Sequence, residues 1–438
     1  MTPTSDDCCA DARRTFSRRG VLAAAAAAAG VAGLGVFGDT VRSVAHAAVP
    51  GTQNNVLVVV SLRGAIDGMG VVVPHGEAAY YQARPVIAVP KDRLLAADSM
   101  FGLHPSMAPL VKHWEAGTFA AVNATGLARP NRSHFAAMEE VEDANPGSTT
   151  RQGWVNRLLG GSTNALAGVH LTSNAAPTLI SGPNPTVSAP LLSGIELAGA
   201  NPAHDTAEWS TRRRSSLDLL WSADAERVPT DIQATLRRSV RQARQVAETL
   251  EGLPLGEPPA PAAAYDTSWR GKGLGEALAD TARLIRADVG TSAVTLDFGN
   301  WDYHNDYGTL ASGNMAAQLA SLATNLDAFL TDLGPQAGRV TIVVMSEFGR
   351  RLTENSAHGL DHGWGNVMLL LGAGIRGGRY HGTWPGLTNV ASSLVDDDVA
   401  VTTDYRDVLA EIVARRFPEI SLAEAFPGFK ATSVGVTT

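Results

Sequence analysis

Cysteine is almost missing from this chain. The only two, Cys8 and Cys9, fall within the first ten of 438 residues. From residue 48 onward the sequence therefore has no means of forming a disulfide, a thiolate metal site or a cysteine nucleophile. Lysine is nearly as scarce, represented by Lys91, Lys112, Lys272 and Lys430. In total 35 basic residues face 43 acidic ones, a net charge of −8. That balance lacks the basic excess of a general nucleic-acid binder, and no nucleic-acid partner is expected. The uncharged run Val21–Phe37, 17 residues rich in Ala and Gly, is short for a membrane span. No G-x-S-x-G is present, so the serine-hydrolase elbow is absent too. What is there is 45% apolar and 18% charged, enough to bury a sizeable core. The length suits one large α/β domain with an insertion, or two domains.

Residues 1–47 read as an address rather than as structure. Arg13, Arg14, Arg18 and Arg19 precede the apolar run, and Ala45-His46-Ala47 supplies an A-x-A cleavage site. Ser17-Arg18-Arg19-Gly20-Val21-Leu22 resembles the twin-arginine export signal, with Val21 where Phe is usual. The competing reading is an ordinary secretory signal or an uncleaved anchor. The resemblance implies a partner, the twin-arginine translocation machinery, which exports proteins already folded. The destination expected is periplasmic or extracellular, with no stable membrane span after cleavage.

Short apolar runs bounded by turn residues predict strands at Val56–Leu62, Phe119–Asn123, Val169–Thr172, Ala293–Leu296, Val340–Met345 and Val367–Leu371. Helical patterns lie between them, at Met107–Ala116, Asn314–Leu333 and Tyr405–Arg416, the last with Asp404 as N-cap. Alternating strands and helices predict an α/β fold, a mainly parallel sheet with helices on both faces. The stretch at about 202–256 differs. It holds Arg212–Arg214 and a charged amphipathic helix, Ile232–Leu250, and a Pro-rich spacer follows at 254–261. We read it as a helical insertion, either a lid or a solvated hairpin.

Carboxylates and histidines gather where strands end, and chemistry in open α/β sheets collects there. Asp297-Phe298-Gly299-Asn300-Trp301-Asp302-Tyr303-His304 follows one strand, and Ser346-Glu347-Phe348-Gly349-Arg350 follows another. His358-Gly359-Leu360-Asp361-His362-Gly363 leads into a third. Such oxygen and imidazole groups are hard or borderline metal ligands. Asp67, after the first strand, is a further candidate ligand. In Asn131-Arg132-Ser133-His134, Ser133 is a candidate nucleophile, with a metal or His134 as activator. Each motif has an ordinary alternative: a turn at 297–304, an ion pair of Glu347 with Arg350 or Arg351, a glycine loop at 358–363, an Asp-Gly turn at Asp67, a helix cap at Ser133. Gly372-Ala373-Gly374-Ile375-Arg376-Gly377 matches a dinucleotide fingerprint, but Gly378, Gly382 and Trp384-Pro385 leave no helix to receive a pyrophosphate.

The stretches VVVSLRGAIDGMGVVVPHG, FGLHPSMAPL, RSHFAAMEE, GWVNRLL, DFGNWDYHND, MSEFGRRLTENSAHGLDHGWGN and GAGIRGGRYHGTWPGL, in this order, resemble the bacterial family called domain of unknown function 1501. That family is placed in the alkaline-phosphatase-like superfamily, with sulfatases and phosphomutases. The resemblance implies a metal set drawn from Asp67, Asp302, His304, Glu347, Asp361 and His362, and a nucleophile at Ser133 helped by Arg132 and His134. Phe348 stands where the superfamily has a second His, which implies one metal or an altered pair. The implied cofactor is a divalent ion: zinc or manganese for a mixed set, calcium or magnesium for carboxylates alone. The implied reaction is hydrolysis of a small-molecule or polymer phosphate-type ester, by a phosphatase or phosphodiesterase. Formylglycine sulfatases need a C/S-x-P-x-R motif that the sequence lacks. The rival class is a binding or structural protein on the same fold.

Overall fold

A computed structural model describes residues 54–173, 175–195, 211–212, 215–216, 231–253, 257–388, 394–395 and 397–438. The expected export signal at 1–47, and the insertion between 196 and 230 apart from four residues, lie outside the described residues.

Among the described residues nine strands form the main sheet. In chain order they are β1 (Val56–Ser61), β2 (Phe119–Gly126), β3 (Gly168–Leu171), β4 (Val187–Ala189), β5 (Ala293–Asp297), β6 (Val340–Met345), β7 (Asn366–Gly372), β8 (Arg379–His381) and β9 (Thr403–Asp404). Across the sheet the order is β8-β2-β7-β6-β1-β5-β3-β4, with β9 also paired to β2. β1 runs parallel to both β5 and β6, and β3 to both β5 and β4. β7 alone is antiparallel to its neighbours β2 and β6.

Residues on alternate sides of β1 show why the sheet must be covered twice, because successive strand side chains point to opposite faces. Val56, Val58 and Val60 join one core with helices α3 (Lys272–Ala287) and α4 (Asn314–Leu333), through Leu278, Ala282, Leu319 and Leu326. Leu57 and Val59 join the other core with α1 (His134–Asp143) and α5 (Tyr405–Arg416), through Val141, Val408 and Ile412. A strand buried on both faces reads as an unbroken apolar run, and VLVVV at 56–60 does. The expected mainly parallel sheet with helices on both faces is what the chain forms.

Several expectations need correction. Pro105–Leu110 is a 3-10 helix and only Val111–Glu115 is α-helical, because Pro109 has no N–H to donate within a continuous helix. The insertion helix, α2 (Asp231–Glu251), is not wholly solvated. Val246 and Leu250 near its end are buried in the core shared with α3 and α4. Part of the Pro-rich spacer is packed too: the Ala260 N–H donates to Asp332 Oδ1 (2.8 Å), and the Glu257 carbonyl accepts from Arg283 (2.8 Å).

Candidate metal centre

Because β7 runs antiparallel, its start lies at the edge where β1, β2, β5 and β6 end. Five chain segments meet there: Arg63–Ala65 after β1, Arg132–His134 after β2, Asn300–His304 after β5, Ser346–Arg350 after β6 and Asp361–His362 before β7. A backbone bridge between Arg350 and His362 joins the last two. The loops after β1 and β5 are tied by Phe298 N–H to Ser61 O (2.9 Å) and Trp301 N–H to Arg63 O (3.0 Å). They approach so closely that a Cβ at Gly64 (φ +104°) would lie 2.7 Å from the Trp301 nitrogen. Only glycine fits that backbone and that space.

Buried Arg350 is the knot of the site. Its guanidinium donates to Ala65 O (2.7 Å), Leu360 O (3.0 Å) and Asp302 Oδ1 (2.6 Å), so one side chain holds three loops. Partial burial is the largest single influence and works against charge on Asp302, yet the bond and charge of Arg350 together with the neighbouring His304 and His134 outweigh it and keep the carboxyl below its ordinary range.

On Asp302 three imidazoles converge. His362 Nε2 is 3.0 Å from His134 Nε2 and 2.9 Å from His304 Nε2. Asp302 Oδ1 is 3.3 Å from His362 Nε2 and 3.2 Å from His304 Nε2. His134, Asp302 and His362 offer ligand atoms that all lie within 4.8 Å of one another, with His304 at the margin. Behind each ring stands a fixed acceptor. His134 Nδ1 meets Glu347 Oε1 at 2.7 Å, His304 Nδ1 meets Asp361 Oδ1 at 2.9 Å, and His362 Nδ1 meets the Arg132 carbonyl at 2.9 Å.

A carbonyl or a carboxylate only accepts, so each Nδ1 carries a hydrogen, and a ring without a second proton turns a bare Nε2 lone pair toward the centre. Three lone pairs and a carboxylate at such distances repel unless a cation or extra protons lie among them. A divalent ion satisfies all four groups at once. The backing of a ligand His by a carboxylate or carbonyl is also how metal sites fix ring orientation and tautomer. The residues present thus fit a divalent ion such as zinc or manganese. The Glu347 bond is the main cause that raises the His134 pKa above its ordinary value, whereas burial lowers that of His362.

The structure sorts the expected ligands. Asp302 and His362 are in the cluster, His304 is at its edge, and His134, expected as an activator, joins them. Glu347 and Asp361, expected as ligands, stand one layer back. The Glu347 oxygens are occupied by His134, the Gly64 N–H (2.9 Å) and Ser346 Oγ (2.8 Å). Asp67 lies apart from the cluster, its oxygens taken by Arg84 (2.6 and 3.0 Å) and by the Tyr307 hydroxyl (2.7 Å). The Arg132 guanidinium is engaged by buried Asp398 (2.8 Å), and its carbonyl is the part that meets His362. Ser133 is exposed and occupies the N-cap of α1, but its hydroxyl makes no capping bond. Phe348 packs between His134 and His362, with ring centroids at 4.8 and 5.1 Å.

Beside the cluster opens a cavity of about 530 Å³, lined in part by Arg63, His134, Phe135, Asn300 and Glu347. Arg63 was not singled out from the sequence, although a lone Arg directly after a buried strand was the available signal. It is clamped by Glu142 Oε1 (2.7 Å) and Asp297 Oδ2 (2.7 Å).

A helix-covered, nearly parallel sheet with a histidine–aspartate cluster at the carboxyl ends of its strands defines the class of molecule. Within that class, residues 54–413 match the family described as "Protein of unknown function (DUF1501)", and the chain belongs to it. No curated protein matches. Among solved structures it is similar to the C-terminal periplasmic domain of EcEptC from Escherichia coli in complex with Zn: 10% identity, 89% of this chain and 90% of that one, TM-score 0.37. It is also similar to the PsFucS1 sulfatase from Pseudoalteromonas sp. (11% identity, 88% and 73% covered, TM-score 0.34). A third is alkaline phosphatase from the Antarctic bacterium TAB5 (10% identity, 75% and 95% covered, TM-score 0.29). At these scores nothing about activity follows from the likenesses. Among the described residues no helix is long and apolar enough to cross a membrane.

Proposed function

We propose that this chain is an exported, metal-dependent hydrolase of phosphate-type esters. The observation that carries the reading is the convergence of three imidazole Nε2 atoms on Asp302, each ring backed from behind by an acceptor. His134, Asp302 and His362 would hold one divalent ion, with His304 as a fourth ligand or as an acid beside it. Such an ion supplies Lewis acidity toward an ester oxygen and lowers the pKa of a bound hydroxyl or water. Phe348 fills the space in which a further ligand would sit, which favours one ion over two.

The chain's own groups have distinct tasks in this reading. Glu347, Asp361 and the Arg132 carbonyl hold the rings. Arg350 keeps Asp302 ionised and turned inward. Ser133, exposed and not spent on capping, supplies the attacking oxygen, and Arg63 faces the substrate from the cavity wall.

The test is metal analysis of protein purified from the exported fraction, followed by chelation. We expect at least one tightly held divalent ion per chain. Chelation should lower the melting temperature, because an ion that binds only the folded state stabilises it by about 3–4 kcal/mol at 100–1,000 times its Kd. Activity on p-nitrophenyl esters should disappear with the ion and return with zinc or manganese. Metal-free protein whose melting temperature ignores chelator would leave the binding-protein reading in its place.

A further inference from the structure

The cavity beside the histidine cluster has an unusual charge balance for a phosphate site. Its permanently charged cation is Arg63, and four carboxylates, Glu139, Glu142, Asp302 and Glu347, share the lining. The guanidiniums nearby are already matched. Arg63 is held by Glu142 and Asp297, Arg350 by Asp302, and Arg151 by Glu139. Glu347, 1% exposed, adds a further carboxylate, its oxygens accepting from the Gly64 N–H (2.9 Å) and Ser346 Oγ (2.8 Å). Five carboxylates therefore stand against three guanidiniums, and one divalent ion brings the surroundings only to neutrality. A doubly charged phosphate monoester would find no surplus of positive charge there.

The rest of the wall is mixed, with Thr178 and Asn300 beside apolar groups. Met138 and Pro177 line it, and Phe135 projects at the rim with 89% of its surface exposed. An aromatic side chain this exposed, one residue from His134, buries little of its surface within the fold. It does offer a flat face to an apolar or ring-bearing group.

We infer that the cavity selects a singly charged ester anion carrying a flat or apolar group, with that group resting on Phe135, in preference to a dianionic monoester. The inference rests on the hydrolase reading above and names the substrate class for the same site. Two chemistries present such an anion, a phosphodiester and a sulfate monoester, and separate arms distinguish them.

The experiment uses the metal-loaded protein near pH 8, where a phosphate monoester is a dianion. Its first readout is calorimetric binding of two inert probes, methyl phenylphosphonate (one charge) and phenylphosphonate (two charges). The singly charged probe should bind tighter by about tenfold. Phe135→Ala should weaken it several-fold, while a probe of the same charge without the ring is unaffected. The second readout is turnover of bis(p-nitrophenyl) phosphate, p-nitrophenyl sulfate and p-nitrophenyl phosphate, and the first should be the best substrate. Turnover of the sulfate in its place would keep the charge rule and assign the ester to sulfur. Equal or tighter binding of phenylphosphonate, or no binding of either probe, overturns the inference. Selective binding of the singly charged probe with no turnover of any ester would overturn the hydrolase reading and leave the charge rule standing.

Discussion

Two aspartates, each placed just past a strand of the same sheet, have opposite fates. Asp67 follows β1 and is closed off. Arg84 grips both of its oxygens, the Tyr307 hydroxyl donates to one of them, and the residue is 3% exposed. Burial opposes charge on Arg84, but the Asp67 carboxylate outweighs it and holds the guanidinium above its ordinary pKa. The nearby Tyr307 hydroxyl, buried beside that carboxylate, is pushed well above its ordinary value and stays a donor. Asp302 follows β5 and is left open. Arg350 saturates one side of it, and on the other stand imidazole nitrogens with lone pairs to give. The first group is complete within the protein, whereas the second leaves ligand atoms that a cation would complete. An acidic residue at a strand end is thus a site only where the donors around it run short.

The largest effect that would break this comparison comes from the closed pair. Arg84→Met should cost about 3–5 kcal/mol in chemical denaturation, because it leaves Asp67 charged and buried without its partner. Metal content of the folded fraction should be unchanged. Loss of metal in proportion to loss of stability would mean that the two regions are not independent.

A smaller effect is expected one layer behind the cluster. Glu347→Gln and Asp361→Asn should each weaken metal affinity by about 10–100-fold, read by chelator competition, since they release His134 and His304 from their fixed tautomers. An unchanged affinity in both would mean that the acceptors do not position the rings.

The smallest effect sharpens the contrast with a third carboxylate. Glu411 accepts from the Val434, Gly435 and Thr437 N–H groups and from Ser433 Oγ, which pins the C-terminal tail. Burial would raise its pKa, but these bonds outweigh burial and bring it to about 2. A depressed carboxyl contributes stability that is fully present above its unfolded pKa, near 4.5, and lost as pH falls through about 2. Glu411→Gln should therefore melt lower at neutral pH, with the difference closing below pH 4 and absent near pH 2. A gap that persists at pH 2 would assign the effect to packing instead.

Much of the fold was legible where one physical signal dominated. Val340–Met345 and Asn314–Leu333 have the bounds expected from apolar runs and stop signals. The amphipathic helix Lys272–Ala287 went unread, with Gly273 and Gly275 in its first turn weakening the helical pattern. At the site, Asp302, His304 and His362 were legible because each lies in a dense polar motif at a strand end. The fate of Asp67 was not, because Arg84 and Tyr307, which close it, are 17 and 240 positions away in sequence. The division between ligands and the groups that back them was hidden for the same reason: it is a matter of which nitrogen faces which neighbour, and spacing along the chain carries no trace of it.

The reversed direction of β7 sets the order in which the site can come into being. His134, Asp302 and His304 leave the ribosome early, on segments that follow their strands, whereas His362 arrives on the segment that leads into β7. A nascent chain that has emerged only as far as β6 already presents most of the sheet, yet has no ring to bridge His134 and His304. An ion held by His134, Asp302 and His362 would be captured only once the last large piece of the sheet is ready to pair. If the proposed ion is held there, synthesis from one end would make its loading a late event, coupled to closure of the sheet between β6 and β2.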